Sequence, residues 1–220
     1  GGRGGTVTDI FQEVDEEIRK ERYTALWKRY GAWVIGAAVA LVLAVAGHQG
    51  WQAYQRDRAE AAARAYAEAT ATLEAQGAEA ARAELAKLAD PAGTGYALIA
   101  ALRLAALQAE AGETQAAIAT WTQVAQNGSA PQAARDSATL RAAMHHIETG
   151  APAQARQDLA PLAEGDSAFQ VTALELQAAA ALQAGDRGAA IGLLKRIADG
   201  AEARPDQRQR ATQLLARLEG

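Results

Sequence analysis

Between Gly31 and Gln55 the chain carries no Asp, Glu, Lys or Arg, and from Trp33 to Ala46 it is continuously apolar. At ~1.5 Å of helix rise per residue, about 20 such residues match the ~30 Å hydrocarbon core of a bilayer. The run predicts one membrane-spanning helix at residues 31–53. Amphipathic rings bracket it, Trp27, Tyr30 and Trp33 on one side and Trp51 and Tyr54 on the other. Such rings favour the headgroup layer, so two belts argue for a crossing rather than a buried core helix. A secretory signal is the rival reading, because Ala44-Val45-Ala46 ahead of Gly47 fits a small-residue cleavage site. The charged lead of about thirty residues is long for the polar region of such a signal.

Direction follows from the basic residues. Arg19, Lys20, Arg22, Lys28 and Arg29 precede the run, whereas Arg56, Arg58 and Arg64 follow it. The positive-inside bias therefore places residues 1–30 in the cytoplasm and everything after Tyr54 across the membrane, which in a bacterium means an inner-membrane protein with its C-terminal part in the periplasm. Ala32, Gly36, Ala40 and Ala44 recur at four-residue steps and form a smooth stripe. Such a stripe lets a partner helix approach closely, and an Ala-rich chain also produces one by chance. From Trp51 to Ala75 there is neither Pro nor Gly, so span and first soluble helix are expected to be continuous, as a rigid stem.

Ahead of the span, Gly1 to Gly5 reads as a flexible lead. Asp9 with Gln12 forms a capping-box pattern, after which Ile10, Val14 and Ile18 share one face beside Phe11. Acid-first pairs Asp15/Arg19 and Glu16/Lys20 support a short amphipathic helix. That helix suits either a partner's cytoplasmic loop or the headgroup surface.

Beyond the span, the decisive signal is periodicity. Gly77, Gly112, Gly150 and Gly185 are separated by 35, 38 and 35 residues, each between two Ala/Leu-rich helical stretches. Five residues after three of them stand Ala117, Ala155 and Ala190; twelve after stand Val124, Leu162 and Ile197. The Gly77 copy is degenerate, with Arg82 and Ala89 at those offsets. Glycine supplies the positive φ that closes one helix and reverses the chain, and a small Ala lets the paired backbones approach. Trp121 and the larger aliphatics fill the layers, and Pro131 and Pro152 fall at helix starts. The stretch from Pro205 to Leu218 reads as a closing cap, with Leu214, Leu215 and Leu218 on the packed side. A single unit cannot bury its apolar face, so the units are expected to stack. The fold class is thus all-α, one transmembrane helix followed by a superhelix of tetratricopeptide-like helical hairpins over residues 54–220.

The Gly-x4-Ala step and the period near 34 residues resemble the tetratricopeptide repeat class. The fuller order is more specific: Asp9 to Ile18, then Leu26 to Gly31, one span, and degenerate Ala-rich repeats. That order looks like the tetratricopeptide-like ancillary subunit of the bacterial Sec translocon. The resemblance implies a membrane-tethered module whose partners are an integral membrane complex, the Sec channel, and periplasmic chaperones. An accessory or assembly subunit of another inner-membrane complex, respiratory or photosynthetic, would use the same anchor and repeats.

Chemistry-bearing patterns are missing. Without Cys there is no disulfide framework, thiolate nucleophile or Cys-containing metal site. Neighbouring His145 and His146 point about 100° apart on a helix and do not chelate one metal as an i, i+4 pair would. His48 sits at the interfacial end of the span. Gly93-Thr94-Gly95 has neither the strand nor the Lys of a phosphate loop, and Gly165-Asp166-Ser167 lacks the strand-to-helix setting of a nucleophile elbow. Trp121 and Phe169 read as core plugs. Residues 56–220 hold sixteen basic and twenty acidic side chains, without the basic footprint of a nucleic-acid binder. No enzyme activity and no cofactor are expected.

Overall fold

The computed structural model describes the backbone from Val7 onward and side chains from Lys28. The capping-box and amphipathic-face readings around Asp9 to Ile18 concern side chains outside the described residues. Helix α1 runs Val7–Gln76, and its residues 52–58 are helical like the rest. The backbone divides into two compact units, residues 1–58 and 59–220.

In the first unit, the stretch of α1 from Trp33 to Ala46 is apolar on all sides and exposed: Trp33 is 80% exposed and Leu41 67%. Helix α1 is the one helix among the described residues long and apolar enough to cross a membrane. At its ends the aromatic rings meet cations and each other. Arg29 lies 5.8 Å from the Tyr30 ring, Arg58 lies 5.5 Å from Tyr54, and the Trp51 and Tyr54 centroids are 6.0 Å apart. A ring with an apolar body and a polar or cation-contacting edge fits a boundary between hydrocarbon and water.

In the second unit, the last turns of α1 are followed by α2 (Ala78–Leu88), then α3 (Gly95–Glu110) and α4 (Thr114–Gln126). Next come α5 (Gln132–Glu148) with α6 (Pro152–Glu164), α7 (Gln170–Gln183) with α8 (Arg187–Asp199), and α9 (Pro205–Glu219). From α2 on, each helix packs on the next, and α5 also packs on α7. The alternation is that of helical hairpins stacked side by side, with the first helices α3, α5 and α7 in one layer and α2, α4, α6 and α8 in the other. The glycines that reverse the hairpins have φ of 90° at Gly77, 83° at Gly112, 79° at Gly150 and 78° at Gly185. A Cβ at any of the four would meet nothing within 4 Å, so backbone conformation, not space, favours Gly there.

The core is built from alanines and a few large plugs. After the turn glycines, the residues at offsets five, nine and twelve point inward: Ala117, Trp121 and Val124 in α4; Ala155, Leu159 and Leu162 in α6; Ala190, Leu194 and Ile197 in α8. The first hairpin departs from this count. There α2 starts at the residue directly after Gly77, whereas one spacer residue follows each of the other three glycines. Every inward position therefore comes one residue earlier, and the buried pair is Ala81 and Leu85. Arg82, which the five-residue offset assigned to the crossing, lies beside it instead and reaches Glu79 at 3.0 Å and Glu113 on the next hairpin. A second correction concerns α9. Leu215 is buried, but Leu214 is 42% exposed, because consecutive helical residues diverge by about 100° and only one of them faces the core. Pro161 sits inside α6, and Pro131 immediately precedes α5.

Candidate partner-binding face

Counting back from the turn glycines shows how the first-layer helices are divided. Twelve residues before them stand Ala100, Ala138 and Ala173, and seven before stand Ala105, Ala143 and Ala178, all buried. These alanines are the contact points through which adjacent hairpins pack, because a methyl side chain lets helix backbones come close. Reading forward from the glycines alone missed them. The signal that finds them is the same glycine register read in the opposite direction.

The other side of the same helices is less covered: Ile99, Arg141, Met144 and Ala179 are exposed, and Arg103, Ala106, Ser137, Thr172 and Leu176 are half-buried. Thirteen, nine and six residues before the glycine, α3 presents Ile99, Arg103 and Ala106, α5 presents Ser137, Arg141 and Met144, and α7 presents Thr172, Leu176 and Ala179. Ile99 and Met144 are each 44% exposed, and Tyr96, one turn before Ile99, is 39% exposed with its ring 5.8 Å from that of Tyr66. Large apolar side chains clustered on one exposed face mark an interaction surface. At the C-terminal end of the stack a cleft of about 370 Å³ opens between α7, α8 and α9, with Ala178, Leu182, Leu194 and Leu214 among its walls. At its rim Arg210 pairs with Glu175 at 3.0 Å and with Asp206 at 2.9 Å. Those two carboxylates, Glu175 foremost, raise the Arg210 pKa. Arg204 and then Arg210 donate to the Asp206 carboxylate and hold its pKa below the ordinary value.

Residues with chemical potential elsewhere serve packing and loops. The His145 ring stacks on Trp121 at 5.0 Å and 7°, joining α5 to α4, with Glu148 2.6 Å from Nδ1 but off the line of a hydrogen bond. Nε2 of His146 is 3.5 Å from Asp158 on α6. Ser167 donates from Oγ to Asp136 at 2.6 Å and accepts from the Phe169 N–H at 3.1 Å, which fixes the start of α7. Asn127 donates to the carbonyls of Pro91 and Gly93, tying the end of α4 to the loop ahead of α3. Among the described residues no group of three or more His, Asp or Glu converges as a metal site would.

Ala32, Gly36, Ala40 and Ala44 lie within the charge-free part of α1 and all four are exposed, and a Cβ on Gly36 would meet nothing within 4 Å. Ala117, Ala155 and Ala190 lie fully buried where the second helix of each hairpin begins.

Stacked hairpins with a buried Ala/Leu layer and exposed apolar side chains on the first-layer helices define a helical-repeat interaction scaffold. The sequence matches the tetratricopeptide repeat-like domain family over residues 24–215, and the chain belongs to that family. The match takes in the apolar stretch of α1 as well as the hairpins. Comparison with curated proteins gave no match, and comparison with solved structures gave none either.

Proposed function

We propose that this protein is a membrane-anchored interaction module that serves as an accessory subunit of the Sec translocon and links it to periplasmic chaperones. The observation that carries the anchored part is a single helix whose apolar stretch is exposed all round and which belongs to the same chain as a repeat scaffold. So much exposed apolar surface is costly in water and favourable in lipid, where ~20 apolar residues suffice to cross. In this reading residues 31–53 span the inner membrane, residues 1–30 are cytoplasmic, and residues 54–220 receive periplasmic partners. The basic residues ahead of the span support that direction. The Sec assignment is supported by the order of charged N-terminal segment, span and Ala-rich repeats.

Two measurements test it. A Cys placed at Ala153 is labelled by a membrane-impermeant maleimide in intact spheroplasts, while one at Thr8 is labelled only after lysis. The reverse pattern overturns the topology, and secretion of a cleaved repeat domain overturns the anchor. Mild-detergent purification with quantitative mass spectrometry then returns the Sec channel subunits in stoichiometric yield. Recovery of a respiratory or photosynthetic complex in their place moves the protein to that complex and leaves the module itself standing.

A further inference from the structure

We propose that a cleft at the loop edge of the stack, between the start of α5 and the α6–α7 connection, receives an arginine or lysine side chain of a partner protein on the carboxylate of Asp136. This deepens the interaction-module reading and rests on it.

The repeat register sets Asp136 apart. It stands fourteen residues before Gly150, and the residues fourteen before Gly112 and Gly185 are Leu98 and Val171. Leu98 is buried and Val171 half-buried, so α3 and α7 place an aliphatic side chain where α5 places a carboxylate. Asp136 is only 7% exposed. A charge taken out of water is costly unless a counter-charge meets it. Among the described residues the side chain has one partner, the Ser167 hydroxyl, which donates to Oδ2 at 2.6 Å, and it has no cation. That hydrogen bond fixes the start of α7, but it needs an acceptor oxygen rather than a charge, and an Asn amide oxygen serves as well. The structural role therefore leaves the negative charge of Asp136 unused.

The second oxygen, Oδ1, accepts no hydrogen bond among the described residues, and Asp136 lines a cleft of about 520 Å³. Pro161, Leu162 and Phe169 are apolar walls of that cleft, and the exposed Asp166 adds a second carboxylate without an ion pair. Ser167 also accepts from the Phe169 N–H at 3.1 Å, so the carboxylate is held in one orientation. Two arginines border the region, but each donates to a neutral oxygen: Arg135 to Gln132 at 3.3 Å and Arg196 to the Ala163 carbonyl at 3.3 Å. Apolar walls around a buried carboxylate match a side chain with an aliphatic stem and a cationic tip, which is the build of Arg and Lys. A metal ion gains nothing from Leu162 and Phe169, and no group of three or more His, Asp or Glu converges among the described residues. An acidic side chain is repelled there, and an apolar one leaves Asp136 unpaired.

The test titrates the full chain, in nanodiscs of zwitterionic lipid, against labelled pentapeptides Gly-Ala-Xaa-Ala-Gly in which Xaa is Arg, Lys, Gln or Glu. Binding is read by fluorescence anisotropy. The Arg and Lys peptides are expected to bind at least tenfold more tightly than the Gln and Glu peptides. Asp136→Asn keeps the acceptor for Ser167 and should abolish that preference, with the fold checked by circular dichroism. Ala133→Phe, at an exposed cleft residue, should weaken both basic peptides tenfold with the carboxylate intact. Glu110→Gln makes the same change in net charge outside the cleft and should bind as the wild type does, which separates a site from general attraction to an acidic body. Equal affinities for the four peptides overturn the proposal, as does an Asp136→Asn variant that keeps the preference or a Glu110→Gln variant that loses it as fully. Recovery of the membrane complex with the wild-type chain in mild detergent separates the two levels. If the complex is recovered while the peptides fail to discriminate, the interaction module stands and this inference falls; if neither is seen, both fall.

Discussion

Two glycines seven residues apart in the last hairpin give opposite predictions for the same substitution. Gly185 has φ of +78° and no atom within 4 Å of an added Cβ, so Gly185→Ala is strained by backbone alone. A left-handed conformation costs an L-residue about 1–2 kcal/mol, and restricting the unfolded chain returns about 0.4–1 kcal/mol. The net expectation, from the middle of each range, is a destabilisation of about 0.8 kcal/mol. Gly192 lies inside α8, exposed, with a helical backbone and again nothing within 4 Å. Gly192→Ala should therefore stabilise by about 0.5–1 kcal/mol, the ordinary advantage of Ala over Gly within a helix. In a protein of 150–250 residues that is a Tm shift of about 2–4 °C per kcal/mol, downward for the first variant and upward for the second. Urea titrations followed through tryptophan fluorescence and circular dichroism give the midpoints. If Gly185→Ala matches or exceeds the wild type, the turn does not depend on a positive φ, and the glycine register loses its physical basis.

Three further outcomes follow from other contacts. Trp121 is 1% exposed and stacked on His145, so Trp121→Ala should cost about 3–5 kcal/mol in denaturant midpoints and loosen the contact between the second and third hairpins. The folded-state pKa of Asp206 is depressed by Arg204 and Arg210, so its contribution is present above the ordinary value of 3.8 and is lost as pH falls below it. Asp206→Asn should accordingly lower the urea midpoint at pH 7 and approach wild-type behaviour in acid; a gap that persists unchanged in acid would refute the assignment. Replacing Gly36 and Ala40 by Leu should leave membrane insertion intact and reduce recovery of the membrane partner, whereas undiminished recovery leaves the stripe as a product of composition.

The legible parts of this sequence are those in which one residue type is chemically unlike its surroundings. A run free of charge stands out in a chain that is elsewhere about one quarter charged, and glycine stands out in an Ala-rich helical background. Those two signals placed the apolar helix and the hairpin reversals. The alanines at the hairpin crossings were legible only where Gly fixed their register, since one buried Ala among many exposed ones has no signature of its own. Ala100, Ala138 and Ala173 became distinguishable once the helices were seen to pack. The same masking hid Arg103 and Arg141, whose equivalence depends on counting backward from a turn.

The first hairpin shows why offset counting has a limit. Whether one residue or none separates the turn glycine from the next helix is decided by local backbone geometry, and no composition signal records it. At Gly77 the helix begins at once, so Ala81 takes the crossing and Arg82 is left partly exposed beside it. A register slip of one residue rotates each side chain by about 100°, enough to exchange a buried methyl for a guanidinium. That rotation gives Arg82 its place: with the crossing filled by Ala81, its side chain reaches Glu113 at the start of α4 and ties the first hairpin to the second. The apparent defect in the repeat pattern is thus a junction. It sits at the hairpin nearest in sequence to the apolar helix, where α1 contributes only its last turns to the stack and the second unit has fewest apolar contacts of its own.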